Sequence, residues 1–298
     1  MAAQSSPMAP GQSQTIAGLQ EIAGAYDVYL LDLWGVLHNG VRAFPAAIAA
    51  LRELKAAGKR VGILSNGPRR ASAVAERSAE LGITPDLYDV IHSSGEETWL
   101  ALSRRGDGRG AGLGRRALAI VPPKDRSLLA GLDLDWTGDP AVADFALLSG
   151  TDGPAETVAD YEPLLRQLRA RNLPLICANP DLVVVRGDIR EICAGAIAAR
   201  YEALGGKVHY FGKPHPEVYE RCLAALGSPP HGRILAVGDS LRTDIAGATR
   251  AGIDSLFILG GIHGAELICG NSLDLPAFAA LCRREGATPR YLSGELCW

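Results

Sequence analysis

Short apolar runs that end abruptly at a polar residue or a glycine are the strongest pattern in this chain. The four clearest runs occupy residues 28–31, 61–64, 234–237 and 255–259. None of them alternates polar and apolar residues, and near-continuous apolar runs are typical of parallel strands that are covered on both faces. We therefore predict four buried strands of a parallel sheet.

Alanine-rich segments with helical spacing lie between these runs. Residues 45–57 begin with Pro45 and end before Gly58, and the segments 69–81 and 216–226 also end before a glycine. Proline is favoured in the first turn of a helix, and glycine is favoured just after the last turn. Alternating strands and helices predict a doubly wound α/β sheet, in which ligands bind at the carboxyl ends of the strands.

The middle of the chain repeats this alternation separately. Strands are predicted at residues 117–121, 145–148 and 175–178, and helices at residues 161–170 and 191–204. A second set of strands and helices indicates a second α/β domain within the first.

The predicted domain bounds follow from these two sets. We assign residues 95–207 to the inserted domain and residues 16–94 and 208–298 to the surrounding core domain. Residues 1–15 are small, polar and proline-containing, so we expect them to be disordered.

Composition and charge exclude several classes of protein. The 298 residues carry a formal net charge of −3, which gives no basic field for binding nucleic acid. No apolar run reaches the ~20 residues that cross a bilayer. The six cysteines form no C-x-x-C pair, which favours a reduced chain. We therefore expect a cytoplasmic protein with no nucleic-acid or membrane partner.

Carboxylates follow two of the predicted strands. Asp32 begins the stretch D-L-W-G-V-L, and Asp239 and Asp244 lie in G-D-S-L-R-T-D. A carboxylate directly after a buried strand needs compensation, and Mg²⁺ takes carboxylate oxygens as ligands. The alternative for Asp32 is a turn or the N-cap of a helix, and Asp244 could instead begin a helix.

Two further segments carry groups suited to phosphate. Ser65, Asn66 and Gly67 follow the second strand and can donate hydrogen bonds from a hydroxyl, an amide and the backbone. Lys213 lies in the stiff turn G-K-P-H-P, where it can hold a fixed positive charge on a phosphate. The alternatives are an ordinary turn and a solvated surface lysine.

Together, and in this chain order, the four segments resemble the motifs of the haloacid dehalogenase (HAD) superfamily. The long insertion before Lys213 is similar to the α/β cap, of the C2 type, in its class IIA branch, which includes 4-nitrophenyl, ribonucleotide, sugar and pyridoxal phosphatases. The resemblance implies a Rossmann-like parallel-sheet core and a Mg²⁺-dependent phosphatase that acts on a small phosphorylated metabolite. Similar proteins often form homodimers through the cap, so a homodimer is one possible state here, and the sequence leaves the oligomeric state open.

The resemblance also implies a role for each matching residue of the core motifs. Asp32 is the nucleophile that forms an aspartyl-phosphate, and it binds magnesium together with Asp239. The backbone carbonyl of Trp34 is a further metal ligand, and Asp244 orients a metal-bound water. Lys213 neutralises charge between the nucleophile and the phosphate.

Other matching residues bind the substrate. Ser65, Asn66 and Gly67 hold the phosphoryl oxygens. Asn179 and Asp181, in the stretch A-N-P-D of the cap, face the core and contact the leaving group of the substrate. The alternative for this stretch is a simple turn at the end of a strand.

Trp34 departs from the family pattern. Phosphatases of this family carry a second aspartate there, which protonates the leaving group and later deprotonates the attacking water. An indole N–H does neither near neutral pH. We therefore expect slow turnover of alkyl phosphates, because general acid–base help is typically worth ~10² to 10⁴ in rate. His38, Asn39 and His215 are further candidates for this role.

Three alternatives stay open at this point. The indole of Trp34 either packs within the protein or stacks on a flat substrate, and we favour packing or pocket lining without stacking. The chain could instead be a regulatory protein that binds a phosphometabolite without efficient turnover. It could also catalyse another reaction on the same scaffold, such as carbon–halogen hydrolysis or phosphoryl transfer.

Overall fold

The computed structural model describes residues 13–104, 112–270 and 272–298 and forms two compact units. The first unit contains residues 13–65, 75–92 and 213–298, and the second contains the described residues of 66–74 and 93–212. The strands, in chain order, are β1 (Gln14–Thr15), β2 (Val28–Leu31), β3 (Arg60–Ser65), β4 (Val90–Ser93), β5 (Arg116–Ile120), β6 (Asp135–Thr137), β7 (Phe145–Leu148), β8 (Leu175–Cys177), β9 (Val183–Arg186), β10 (Ile189–Ile192), β11 (Val208–Tyr210), β12 (Ile234–Gly238), β13 (Asp254–Ile258), β14 (Ile268–Cys269), β15 (Ser272–Leu273) and β16 (Tyr291–Ser293).

The α-helices of the described residues are α1 (Pro45–Ala56), α2 (Ala71–Glu80), α3 (Ser94–Ser103), α4 (Val158–Ala170), α5 (Ala194–Ala203), α6 (Pro216–Ala225), α7 (Ala246–Ala251), α8 (Gly264–Leu267) and α9 (Leu275–Glu285). A π-helical turn, Leu241–Ile245, leads directly into α7. Among the described residues, no helix is long and apolar enough to cross a membrane.

The first unit is built on a seven-stranded sheet in the order β1-β16-β13-β12-β2-β3-β4. The five pairings from β1 through β3 are parallel. Leu31 lies opposite Val237 on one side and Ile63 on the other, so β12, β2 and β3 reach the same edge of the sheet. The strand β2 is buried along its whole length, as its unbroken apolar sequence predicts.

Helices supply the apolar cover of this sheet. In α1, Ala47, Ala50, Leu51 and Leu54 are fully buried at helical spacing. Helix α6 packs side chains that include Cys222 into a core with the strands β2, β3 and β12. This packing holds the carboxyl edge of the three central strands in a fixed frame.

The second unit has its own five-stranded parallel sheet in the order β11-β8-β7-β5-β6. Leu148 and Ala146 pack with residues of α4 and α5 in one core, whereas Phe145 and Leu147 pack with Leu102 in another. The strands β9 and β10 form a separate antiparallel hairpin.

The predicted α/β class with parallel strands is confirmed in both sheets. The structure also groups residues 66–74 with the second unit, although the sequence predicted that the insertion begins near residue 95. Arg70 explains the grouping, because its guanidinium donates two hydrogen bonds to Glu96, at 2.7 and 3.0 Å, and lies 3.7 Å from the ring centre of Trp99. The predicted domain bounds themselves stay a prediction.

The amino-terminal prediction concerns residues 1–15, of which residues 1–12 lie outside the described part of the chain. Gln14 and Thr15 form the edge strand β1 and pair with Tyr291 and Leu292 of β16. Gln14 and Thr15 are therefore ordered, contrary to the prediction. The reason is that β16, which is far away in the sequence, offers an edge with which they pair.

Candidate active site

Three of the predicted site residues directly follow or end neighbouring strands of the first sheet. Asp32 follows β2, Asp239 follows β12, and Ser65 is the last residue of β3. The backbone N–H of Asp32 donates to the carbonyl of Val237 at 2.9 Å, which extends the pairing of the two strands up to the carboxylate. Ser65 is buried, with 1% of its surface exposed.

A lysine lies among the carboxylates at this edge. The carboxylates of Asp32, Asp239 and Asp244 each offer an oxygen, and these oxygens lie within 4.8 Å of one another. The Lys213 ammonium lies 2.6 Å from Oδ1 of Asp32 and 2.7 Å from Oδ1 of Asp244. The side chains of Lys213, Asp32 and Asp244 are only 4%, 11% and 5% exposed, so this charge cluster is shielded from bulk water.

The chemistry of this cluster fits a divalent cation. Three carboxylates and one ammonium leave two negative charges in a nearly buried place when all are ionised. Such a charge is costly unless a counter-ion balances it. Hard cations of charge +2 accept carboxylate oxygens at this spacing, so Asp32, Asp239 and Asp244 can hold one.

Three glycines let the backbone approach these carboxylates closely. A Cβ at Gly35, whose φ is +72°, would lie 1.9 Å from Oδ2 of Asp239. A Cβ at Gly261 would lie 2.3 Å from the same oxygen, and one at Gly238 would lie 2.1 Å from Cγ of Asp244. Any larger residue at these three positions would displace a carboxylate of the cluster.

The backbone also fixes the two carboxylates that follow β12. Ile262 donates its N–H to Oδ2 of Asp239 at 2.8 Å, and Ser240 donates its N–H to Oδ2 of Asp244 at 3.0 Å. Tyr219 of α6 donates its hydroxyl to the backbone carbonyl of Asp244 at 3.1 Å. Charge-assisted and buried hydrogen bonds of this kind hold a carboxylate in one orientation.

The side chain of Trp34 packs within its own loop, residues 32–44. Its ring centre lies 4.9 Å from that of His38 in an edge-to-face arrangement. A Cβ at Gly40 would lie 2.2 Å from the indole, so the indole occupies the space that a side chain at position 40 would need. This arrangement favours the packing interpretation of Trp34 over stacking on a substrate.

The neighbours of Trp34 have structural roles in the same loop. Gly40 donates its N–H to Nδ1 of His38 at 2.9 Å, so this buried nitrogen serves as an acceptor. Oδ1 of Asn39 accepts the N–H groups of Val41 and Arg42, at 3.1 and 3.0 Å, as in an Asx turn. These contacts use Nδ1 of His38 and the side-chain oxygen of Asn39 to shape the loop.

Four other predicted residues lie in the second unit. Asn66 donates its side-chain N–H to Oδ1 of Asp181 at 2.9 Å, and Asp181 donates its backbone N–H to Oδ1 of Asn179 at 3.0 Å. Gly67 accepts at its carbonyl the N–H of Gly95 at 3.1 Å. The sequence predicted separate tasks for Asn66 and the 179–181 stretch, whereas the structure joins them by a hydrogen bond.

The structure thus brings Asp32, Asp239, Asp244 and Lys213 into one cluster, whereas their roles stay a prediction. Sequence reasoning missed the glycines at positions 238 and 261 as parts of this cluster. For Gly238, the signal that could have found it is its place at the end of a buried strand, directly before a carboxylate. Gly261 lies beyond the end of β13 with no carboxylate beside it in the sequence, so no local signal marks it.

Two family models match separate segments of the chain, and the first of these segments includes parts of both units. The model described as haloacid dehalogenase-like hydrolase matches residues 29–135, and one described as HAD-hydrolase-like matches residues 210–274. The matched segments contain the four residues of the cluster. The superfamily and class IIA branch that the motifs predicted are confirmed.

Individual proteins extend the likeness over nearly the whole chain. Chronophin from Bos taurus is 32% identical over 261 residues, which cover 84% of this chain and 86% of that protein. D-glycerol 3-phosphate phosphatase from Mycobacterium tuberculosis is 26% identical over 260 residues, covering 83% and 67% respectively. The crystal structure of a haloacid dehalogenase-like hydrolase from Brucella suis is 34% identical, covers 94% of this chain and 99% of its own, and has a TM-score of 0.82.

Proposed function

This chain belongs to the haloacid dehalogenase-like hydrolases and is a phosphoric monoester hydrolase, and we propose that it depends on Mg²⁺ and hydrolyses a small phosphorylated metabolite through an aspartyl-phosphate on Asp32. The observation that carries the proposal is the nearly buried cluster of Asp32, Asp239 and Asp244 around Lys213. The cluster keeps a net negative charge that a divalent cation can balance. It also lies at the carboxyl ends of the strands, where ligands bind in sheets of this kind.

The reaction has two steps at Asp32. An oxygen of its carboxylate attacks phosphorus, and the bond from phosphorus to the leaving oxygen breaks. Water then attacks the aspartyl-phosphate, releases inorganic phosphate and restores the carboxylate. Lys213, 2.6 Å from Oδ1 of Asp32, lowers the repulsion between the anionic nucleophile and the anionic phosphate.

Magnesium would be held by Asp32, Asp239 and the backbone carbonyl of Trp34, with Asp244 acting through a water. When bound, the ion supplies positive charge that offsets the charge on the phosphoryl oxygens. Lys213 contacts Asp32 and Asp244, so it also limits the mutual repulsion of the carboxylates before the ion binds.

The leaving group defines the substrate class that we propose. Trp34 offers only an N–H donor, so an alkyl leaving oxygen receives no proton from position 34. Acyl and aryl phosphates need little protonation to leave and are expected to react faster. The packing of the indole against His38 and Gly40 supports a structural role for Trp34.

The remaining parts of the proposal rest on the family resemblance. Ser65, Asn66 and Gly67 bind the phosphoryl oxygens, and Asn179 and Asp181 contact the substrate. None of the six cysteines, all of which lie among the described residues, forms a disulfide, which supports a cytoplasmic location. A homodimer through the cap stays a prediction.

A phosphate-release assay tests the proposal. We expect the purified protein to hydrolyse acetyl phosphate and 4-nitrophenyl phosphate in the presence of Mg²⁺, and to lose this activity with a chelator. The Asp32→Asn variant keeps the size of the side chain but removes the attacking charge, so it should show no turnover above background. Equal rates for the variant and the wild type would contradict the proposal.

A binding protein without efficient turnover is the second candidate, and Trp34 is the observation that favours it. This candidate predicts binding of phosphometabolites measured by calorimetry, with no phosphate released from any member of a broad panel. Release from acyl phosphates that depends on Asp32 would exclude it.

A further inference from the structure

We infer that Tyr219 is a positioning residue for the metal site, because its hydroxyl holds the turn that carries Asp244. This inference rests on the proposed function, since it concerns the same carboxylate cluster. Tyr219 lies on α6, in the apolar core beneath the sheet edge, and its side chain is fully buried. Its hydroxyl donates to the backbone carbonyl of Asp244 at 3.1 Å.

The turn that carries Asp244 has an irregular hydrogen-bond pattern. Residues Leu241–Ile245 form a π-helical turn between β12 and α7. π-helical turns are rare and usually occur at functional sites, because they interrupt the regular bonding of an α-helix. The N–H groups of Asp244 and Ile245 both donate to the carbonyl of Ser240, at 2.9 and 3.2 Å. The tyrosine hydroxyl adds a donor to the Asp244 carbonyl that comes from outside the turn.

The hydrogen bond acts on the residue whose carboxylate belongs to the cluster. Oδ1 of Asp244 lies 2.7 Å from the Lys213 ammonium, and Oδ2 accepts the N–H of Ser240 at 3.0 Å. The hydrogen bonds with Ser240 are local to the turn, whereas the hydrogen bond from Tyr219 connects the turn to α6. Loss of this hydrogen bond would let the turn shift and move the Asp244 carboxylate relative to Asp32.

Space for the hydroxyl is provided by a glycine. A Cβ at Gly247, in α7, would lie 2.3 Å from the Tyr219 oxygen. Glycine is unfavourable inside a helix by about 1 kcal/mol relative to alanine, so its presence here has a packing reason. Burial raises the pKa of Tyr219 above its ordinary value, so the hydroxyl keeps its proton and remains a donor.

The chain offers a matched control at Tyr29. This tyrosine is also fully buried, but its hydroxyl has no hydrogen-bond partner among the described residues. Tyr219→Phe and Tyr29→Phe therefore remove the same atom from two buried sites, and only one of these atoms supports the turn.

Calorimetric titration with Mg²⁺ alone tests the inference. We expect Tyr219→Phe to bind Mg²⁺ roughly tenfold more weakly than the wild type, the lower end of the loss typical when a residue that orients a metal ligand is removed. Tyr29→Phe should bind it as the wild type does. In the phosphatase assay, Tyr219→Phe should need a higher Mg²⁺ concentration for half-maximal rate, with a smaller change in the rate at saturation.

A second variant keeps the test decisive if Tyr219→Phe does not fold. Gly247→Ala retains the hydroxyl but forces it away from the carbonyl, so it should also weaken Mg²⁺ binding. Unchanged Mg²⁺ affinity in folded Tyr219→Phe or Gly247→Ala would overturn the role of Tyr219 and leave the proposed function standing. Failure of the wild type to bind Mg²⁺ would overturn the metal site itself, and the inference with it.

Discussion

At the scale of single residues, we propose that position 34 decides which phosphates the protein can cleave. In the proposed reaction the Asp32 carboxylate is the nucleophile, and the Lys213 ammonium, 2.6 Å away, compensates its charge. Neither can protonate an alkyl leaving oxygen while it performs that task. The indole of Trp34 has no acid or base function near neutral pH, so the leaving group must depart without help from this position.

Replacing Trp34 by aspartate should change this selectivity. We expect Trp34→Asp to hydrolyse glycerol 3-phosphate about 10²-fold faster than the wild type, because a carboxyl group can protonate the leaving oxygen. Acetyl phosphate should gain much less, since acetate leaves without a proton. Phosphate release from both compounds measures the ratio.

Trp34→Asn is the matched control for this substitution. It removes the same indole and has nearly the same shape as aspartate, but its amide does not titrate. An equal gain in Trp34→Asn would show that the bulk of the indole, rather than missing acid–base chemistry, limits the wild type.

The residues of the carboxylate cluster could be predicted from the sequence for a physical reason. A buried parallel strand needs apolar residues on both faces, so a carboxylate that ends such a run, as at Asp32 and Asp239, stands out. Tyr219 could not be predicted in this way. A tyrosine in an amphipathic helix has the same local pattern whether its hydroxyl supports a turn or lacks a partner, as at Tyr29.

At the scale of elements, the loop of residues 32–44 between β2 and α1 is held by its own contacts. Besides the indole of Trp34 against Gly40, Gly35 donates its N–H to the carbonyl of His38 at 2.9 Å. Phe44 donates its N–H to the carbonyl of Leu37, also at 2.9 Å. The loop brings Gly35 against Asp239, so its internal packing affects the carboxylate cluster.

Substitution of Gly40 measures this packing. Gly40 has a φ of +80°, and Gly82 has a φ of +89° with nothing near its missing Cβ. We expect Gly82→Ala to lower the free energy of unfolding by about 1 kcal/mol, from backbone strain alone. Gly40→Ala should lose about 2 kcal/mol more, because its Cβ also collides with the indole.

Denaturant unfolding of four variants, Gly82→Ala, Gly40→Ala, Trp34→Asn and the double variant Trp34→Asn/Gly40→Ala, resolves the two effects. In the Trp34→Asn background the indole is absent, so Gly40→Ala should cost only about as much as Gly82→Ala. A loss that stays larger in that background would mean that the indole is not what restricts position 40.

The elements themselves were predicted with uneven success. The strand Phe145–Leu148 was predicted with its observed bounds, since an apolar run between polar segments marks a buried strand. The strand Tyr291–Ser293 was missed, because three residues carry too little local pattern. Its pairing with Leu256 through Ile258 and with β1 is a long-range effect that sequence periodicity does not encode.

At the scale of the whole molecule, the proposed metal site would link ion binding to the stability of the first unit. Asp32, Asp239 and Asp244 come from segments that are far apart in the sequence and are close only in the folded chain. An ion that binds them therefore favours the folded state by mass action.

Thermal unfolding followed by calorimetry measures this linkage. We expect Mg²⁺ at about 100 times its dissociation constant to stabilise the wild type by about 2.7 kcal/mol. Asp239→Asn should be as stable as the wild type or more stable without Mg²⁺, because one of three mutually repelling charges is gone. It should also lose most of the Mg²⁺ effect, and an equal shift in both proteins would contradict a site built on Asp239.

The division into two units was only partly accessible from the sequence. The repeated alternation of strands and helices in residues 117–204 predicted a second α/β unit. This alternation did not predict that residues 66–74 group with the second unit. The contacts of Arg70 with Glu96 and Trp99, which join this segment to the unit, produce no periodic pattern in the sequence. Ion pairs and cation–π contacts of this kind form between residues that are distant in the sequence, so they can be identified only in the folded chain.

The pairing of Trp34 with Gly40 also constrains how this protein can evolve. While the indole is present, position 40 is closed to every residue that has a side chain. A mutation that shrinks Trp34 leaves a hole in the loop beside the carboxylate cluster. Changes at the two positions are therefore coupled, because a side chain at position 40 fits only after a smaller group has replaced the indole.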